Sequence, residues 1–156
     1  MIVFRLSKSK YCRDLSGKGA ETVGGRWNNV GTPLIYTSES IALCTAEIAV
    51  HLPLGMMPDD YKLVHIEIPS NLVNHEIKVN ELPKDWKSFP YKKSTCIVGD
   101  KLVSENKWLF LKVPSAVVQG SFNYLINPRH KQFSKVKIIK TEAFEFDSRL
   151  FIKSKK

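Results

Sequence analysis

Helical periodicity is clear in only one stretch of this chain, residues 38–52, where Ile41, Cys44, Ile48 and Leu52 recur at spacings of 3, 4 and 4. Thr37 or Ser38 is available as N-cap, Glu39 falls in the first turn, and Pro53 lies beyond the end. Strand signals dominate the rest: "LIYT" (34–37), "YKLVHIEI" (61–68) with Val64, Ile66 and Ile68 on one face, "WLFLKV" (108–113), "KVKIIK" (135–140) and "AFEFD" (143–147). Each run is bounded by Pro, Gly, Asn or Asp. Several strands beside one clear helix, in no regular strand–helix alternation, predict an α+β domain around a mixed or antiparallel sheet with few helices. A second short helix is expected over 99–106, and residues 120–130 are expected to form a loop with Asn127-Pro128 turn chemistry.

At 156 residues, 43% of them hydrophobic, the chain can bury one core of ordinary size. It shows no repeat, low-complexity segment or Gly/Ser linker, so residues 1–156 are expected to form a single domain, with 149–156 as a frayed basic tail. Cys12, Cys44 and Cys96 are odd in number and outside any C-x-x-C spacing, which argues against a disulfide framework or a zinc site. The opening "MIVFRLSKSKYC" holds only a four-residue apolar start, too short for a signal-peptide core, and no run reaches the roughly 18 apolar residues of a membrane span. A cytoplasmic protein, without membrane association, is expected. The formal net charge of +9 favours anionic partners, although the lysines of "KDWKSFPYKK" and "IKSKK" read as ordinary solvated charge.

The segment "VGGRWNNVGTPLIYTSES" concentrates groups with chemistry. Gly24 and Gly25 allow a sharp turn or a close approach, but no dinucleotide-binding or P-loop glycine pattern surrounds them. Arg26 carries a planar fork suited to phosphate or carboxylate oxygens, and Trp27 beside it can give an apolar wall or a stacking face. Tyr36 closes an apolar run, as a core residue with its hydroxyl at the rim or as a ring stacked on a flat heterocycle. Glu47 lies at the margin of the apolar helix stripe between Leu43 and Val50, where a carboxylate is exposed, paired or functional. His51 at the helix end, His65 in a strand, and His75 and His130 in loops share no ligand spacing and are assigned structural roles; no metal site is expected. Ser115 has no G-x-S-x-G elbow around it.

Six blocks in order, "FRL" (4–6), "GGRWNNVGTPLIYTSES" (24–40), "AEIAVHL" (46–52), "VPSAVV" (113–118), "NYLINPRH" (123–130) and "FDSRL" (146–150), resemble the RES domain family. The resemblance covers nearly the whole chain. It implies a fold similar to the diphtheria-toxin-like ADP-ribosyltransferases, a toxin of a bacterial type II toxin–antitoxin pair that depletes NAD+, and an Xre-like helix-turn-helix antitoxin as partner. Carried over by position, the family's arginine falls on Arg26, its tyrosine on Tyr36, its glutamate on Glu47 and its serine on Ser115, with the early arginine at Arg5. Glu47, Arg26, Tyr36 and Ser115 are thus the expected catalytic set, and Arg5, Arg26, Trp27, Tyr36 and Asn127 the expected NAD+-binding set. Cys44-Thr45 departs from the family's usual Leu-Ala, and "QGSFNYL" lacks the acidic or proline residues often found before the asparagine.

Cleavage of the nicotinamide–ribose bond passes through an oxocarbenium-like state, which a carboxylate stabilises without a metal or general-acid histidine. NAD+ is then a substrate and no cofactor is expected. The acceptor, whether water, phosphate or a protein side chain, is left open at this level. The alternative from another class is a basic RNA- or DNA-binding toxin or ribonuclease-like module, for which no recognised nucleic-acid motif is present; direct nucleic-acid binding is therefore not expected.

Overall fold

The computed structural model describes residues 1–53 and 56–151. Seven strands form one sheet: β1 (Ile2–Lys8), β2 (Ile35–Ser38), β3 (Tyr61–Glu67), β4 (Asn74–Glu76), β5 (Phe110–Pro114), β6 (Phe122–Ile126) and β7 (Lys137–Phe144), in the order β4-β5-β6-β2-β1-β3-β7. Every pairing is antiparallel except β4 with β5, so of the mixed or antiparallel sheet expected, the mixed form is found. Three α-helices accompany it, α1 (Lys18–Val23), α2 (Ile41–His51) and α3 (Lys93–Glu105).

Alternation along the strands sorts the core into two layers. Val3, Ile35, Val64, Ile66, Phe110 and Ile126 point to one face and join a single cluster with Ile68, Leu72, Leu109 and Val136. The other face carries two clusters. Leu111, Val113 and Leu125 pack with Trp27, Leu34, Leu82, Trp86, Leu102 and Val103 beneath α3. Leu6 and Leu63 pack with Cys44, Phe146 and Phe151, flanked by Ile48 and Ala49 of α2 and by Leu52 just beyond it.

The expected helix at 38–52 is α2, but Ser40 is its N-cap, its Oγ accepting from the Leu43 amide at 3.2 Å. Thr37 and Ser38 belong instead to β2, where Thr37 Oγ1 donates to the Tyr124 carbonyl and Ser38 Oγ to Asn123 Oδ1. The second helix is longer than expected, since its first turns, "KSTCIV", lack an N-capping side chain that would have announced them.

Three corrections have a common cause in pairing that local sequence does not reveal. The expected loop at 120–130 is strand β6 over Phe122–Ile126, paired on both sides by β2 and β5; only the Asn127-Pro128 end of it turns. The opening residues, read as a short apolar start, form β1 near the centre of the sheet. The two runs at 135–140 and 143–147 merge into β7, where a bulge passes over Ile139. That extra residue reverses the alternation, so Ile138 joins one face and Phe144 the other. Of the expected frayed tail, residues 149–151 instead belong to an ordered turn over Ser148–Leu150 followed by a buried Phe151, whose ring lies 5.6 Å from that of Phe146, edge to face. The remainder, 152–156, lies outside the described residues.

Helix α3 docks through Gly99. A methyl group there would lie 2.0 Å from the Trp27 carbonyl oxygen, which is backbone and cannot yield. Mid-helix glycine to alanine ordinarily stabilises by about 1 kcal/mol, so the sign of the effect is diagnostic. Gly99→Ala is expected to destabilise the protein by about 3 kcal/mol or more, read from the midpoint of urea unfolding.

Candidate functional site

Between the two clusters on the second face lies a cleft of about 530 Å³, a size usual for a small-molecule site. Its floor is a row of the sheet, Phe4, Ser38 and Asn123, which face each other across β1, β2 and β6. Helix α2 supplies Cys44, Glu47, Ile48 and His51, and the turn after α1 supplies Gly24, Gly25, Arg26 and Trp27, with Tyr36 and Tyr91 completing the wall. Strands β1 and β2 share only the Phe4–Ser38 pair, and Arg5, beside that point, borders both this cleft and a neighbouring cavity of about 90 Å³.

Among the described residues, Glu47 is the one carboxylate that lines the cleft. Its Oε1 accepts from Asn123 Nδ2 at 2.7 Å and from Ser115 Oγ at 3.0 Å. Ser115 is buried after β5, and its oxygen in turn accepts from the amides of Val117 and Val118, both at 3.0 Å, which leaves its hydroxyl proton for Glu47. Asn123 Oδ1 accepts from Ser38 Oγ at 2.7 Å, which fixes the amide with its NH2 toward the carboxylate. One carboxylate oxygen is thus held by two donors, whereas Oε2 has no protein partner among the described residues. Ser115 acts on Glu47 and does not itself line the cleft.

The glycine pair has a geometric reason. Gly24 has φ of 72°, a left-handed conformation that favours glycine. At Gly25 a methyl group would lie 2.6 Å from the Tyr36 hydroxyl. That hydroxyl accepts from the Trp27 amide at 3.0 Å and donates to Asn28 Oδ1 at 2.7 Å, and burial pushes its pKa up. Tyr36 therefore offers the cleft its ring, its hydroxyl being committed inside the turn. Trp27 is only 2% exposed and packs at 6.3 Å from Trp86, so its side chain is an inner wall of the core and not an open stacking face. Arg26 donates through one terminal nitrogen to the carbonyls of Trp86 at 2.6 Å and Ser88 at 3.1 Å. Arg5 donates to the Asp14 carbonyl at 2.8 Å, and burial pulls its pKa below the ordinary arginine value, against the opposing pull of Asp14.

Asn127 is the residue that the structure removes from the expected set. It is fully buried after β6, donates to the Leu102 carbonyl and to Asn106 Oδ1, accepts from the Arg129 amide, and does not line the cleft. Its short amide satisfies the turn that Pro128 begins. Conversely, sequence reasoning missed Asn123, which it read as part of a loop, and Tyr91, which it read among loop charges. Only the pairing of β6 with β2 brings Asn123 to Glu47. His51, assigned a structural role, lines the cleft and donates from Nδ1 to the Glu47 carbonyl at 2.6 Å. His75, expected in a loop, lies in β4 with its ring stacked on Trp108. Burial pushes the Cys44 thiol up to about 11, which leaves it protonated at neutral pH. Among the described residues, no group of three or more His, Cys, Asp or Glu side chains is placed to hold a metal ion.

Replacing Tyr36 by Phe removes the partner of two buried polar groups while keeping the ring. Tyr36→Phe is expected to lower stability by about 1–3 kcal/mol, measured by urea unfolding at neutral pH.

Residues 2–147 match the RES domain. Toxin Res of Photorhabdus laumondii subsp. laumondii is 36% identical over 158 residues, spanning 100% of both chains. Prs ADP-ribosylating toxin of Sphingobium sp. (strain YBL2) is 36% identical over 143 residues, 90% of this chain and 89% of that protein. In three dimensions the chain is similar to one in the crystal structure of the M. tuberculosis MbcT-MbcA toxin-antitoxin complex, with a TM-score of 0.72 at 21% identity over 96% of this chain and 86% of the other, a likeness of fold. A family match along almost the entire sequence, joined by relatives above 30% identity over nearly their full length, establishes that this chain belongs to the RES domain family.

Proposed function

We propose that this RES protein is the toxin of a toxin–antitoxin pair and an enzyme that breaks the nicotinamide–ribose bond of NAD+. The observation that carries the reading is the Glu47 carboxylate, one oxygen fixed by Ser115 and Asn123 and the other without a protein partner among the described residues, in a cleft bordered by Arg5 and Arg26. Its similarity to Toxin Res and to an ADP-ribosylating toxin supports the same chemistry.

In NAD+ the bond between ribose C1′ and the pyridinium nitrogen breaks with its electron pair leaving on neutral nicotinamide, and C1′ shares the resulting positive charge with the ring oxygen. A fixed negative charge stabilises that state more than the ground state, provided it does not have to reorient as charge develops. Ser115 and Asn123 supply that fixity: they hold Oε1 and leave Oε2 to face the sugar and accept from a ribose hydroxyl. The Tyr36 ring offers an apolar face to the nicotinamide, and the Arg5 guanidinium offers positive charge to the pyrophosphate. Nicotinamide departs without protonation, so the reaction asks for no resident cofactor; NAD+ is the substrate. A cytoplasmic setting supplies NAD+, and an Xre-like antitoxin that covers the cleft mouth, or sets an acidic group beside Arg5, would silence the enzyme. The protein is not expected to bind nucleic acid directly.

The test is incubation of the purified protein with NAD+ and identification of the products by mass. Nicotinamide release is expected. The partner product names the acceptor: ADP-ribose for water, a phosphorylated ADP-ribose for phosphate, and an adduct for a protein side chain. Glu47→Gln keeps an oxygen for Ser115 and Asn123 but removes the charge, and is expected to slow nicotinamide release by about 10²–10³-fold with little change in unfolding midpoint. Full turnover by the variant would reject Glu47 as the stabilising group.

A further inference from the structure

We propose that Arg26 is a positioning residue: it holds the 83–92 loop against the site so that Tyr91 forms an aromatic wall of the cleft, a role whose kinetic test rests on the NAD+ reading above. An arginine that grips a pyrophosphate turns its donors toward the cleft. Both hydrogens of one terminal nitrogen of Arg26 are instead directed to backbone carbonyls, those of Trp86 at 2.6 Å and Ser88 at 3.1 Å.

The loop needs such a tie. Its base is anchored, because Leu82 and Trp86 are buried and Trp86 packs against Trp27. Beyond Trp86 the backbone bonds are local turns, Trp86 to Pro83 and Ser88 to Asp85, with a 3.2 Å bond from Ser94 to Asp85. Phe89 at the tip is 83% exposed, so little of its ring is buried. Among the described residues, the Arg26 bond to the Ser88 carbonyl is therefore the hydrogen bond between the tip and the body of the protein.

What the loop delivers is Tyr91. Four aromatic side chains line the cleft: Phe4, Trp27, Tyr36 and Tyr91. Trp27 is closed off in the core, and Phe4 and Tyr36 are partly covered by the sheet, whereas Tyr91 is 42% exposed. It has the most open ring available to a flat heterocycle, and stacking on such a face is worth most when the ring is already in place. Loss of Arg26 and loss of Tyr91 should therefore weaken the same step.

Two measurements decide the matter. The first needs no substrate: trypsin can cut after Lys84 and Lys87 only when the loop departs from the body. Arg26→Ala is expected to speed cleavage at Lys87 by about tenfold or more while the rest of the chain stays intact. If that variant is instead cut along its whole length, Arg26→Lys takes its place, since the shorter lysine side chain sets its ammonium away from the position of the guanidinium nitrogen and should open the loop to a smaller degree. The second is a double-mutant cycle in nicotinamide release. Arg26→Ala and Tyr91→Ala should each raise KM for NAD+ about tenfold with kcat changed less than about threefold, and the double variant should be no more than about twofold worse than either alone. Unaltered protection at Lys87, or a double variant about a hundredfold impaired, would overturn the proposal. A wild-type protein inert toward NAD+ would overturn the proposed activity, and the protease comparison would still decide the role of Arg26.

Discussion

A buried turn with nowhere to send its polar groups sets the terms for this side of the sheet. Asn28 is almost fully enclosed, and its side-chain nitrogen donates to the carbonyls of Ala20, Asn29 and Thr32 while its oxygen takes the Tyr36 hydroxyl. An unsatisfied amide at that depth would cost on the order of 1–3 kcal/mol, so α1, the turn and β2 are locked into one arrangement. The neighbours in the turn then face outward from it in a fixed order: Gly25 accepts the Cys96 thiol, Arg26 ties the long loop, Trp27 packs under α3, and Asn29 takes both oxygens of Asp100. A five-residue segment thereby stitches α3 and its preceding loop to the sheet.

The cleft follows from how the two helices divide the same face. Helix α3 covers the β5–β6 side and α2 the β1–β3 side, and their apolar clusters do not meet. Beside Phe4, the strip between them is floored by the small or polar side chains of Ser38 and Asn123, and Asn123 gives Glu47 a donor. Around it the charge is lopsided: among the described residues a net +9 protein presents a single carboxylate to the cleft, which concentrates negative charge at one group while the surroundings favour an anionic ligand.

Much of this was legible in the sequence where a signal is local. The period of α2 and the buried face of β3 at Val64, Ile66 and Ile68 needed no more than spacing, and the absence of strand–helix alternation pointed to a mixed or antiparallel sheet. Arg26, Tyr36 and Glu47 were singled out from a segment of unusual chemistry, and they do border one cleft. What escaped was decided at a distance. Strand β6 carries turn-forming residues around it and reads as a loop until β2 and β5 flank it, and with it went the meaning of Asn123. Asn127, four residues on, has the same side chain but faces a buried turn, so residue type alone could not separate the positioning amide from the structural one. The Tyr36 hydroxyl likewise reads as available until the close approach at Gly25 shows what it is bonded to.

The strand order has a consequence for when the protein becomes able to act. Glu47 emerges in the first third of the chain, but Ser115 and Asn123 arrive some seventy residues later, at sequence separations of 68 and 76. β2, from which the floor is built, also waits for β6 before it has a neighbour on that edge. During synthesis the carboxylate therefore lacks both donors until the ribosome has delivered most of the polypeptide, and a fragment halted before Ser115 carries the glutamate without either of them. Late assembly thus confines the supported carboxylate to finished copies.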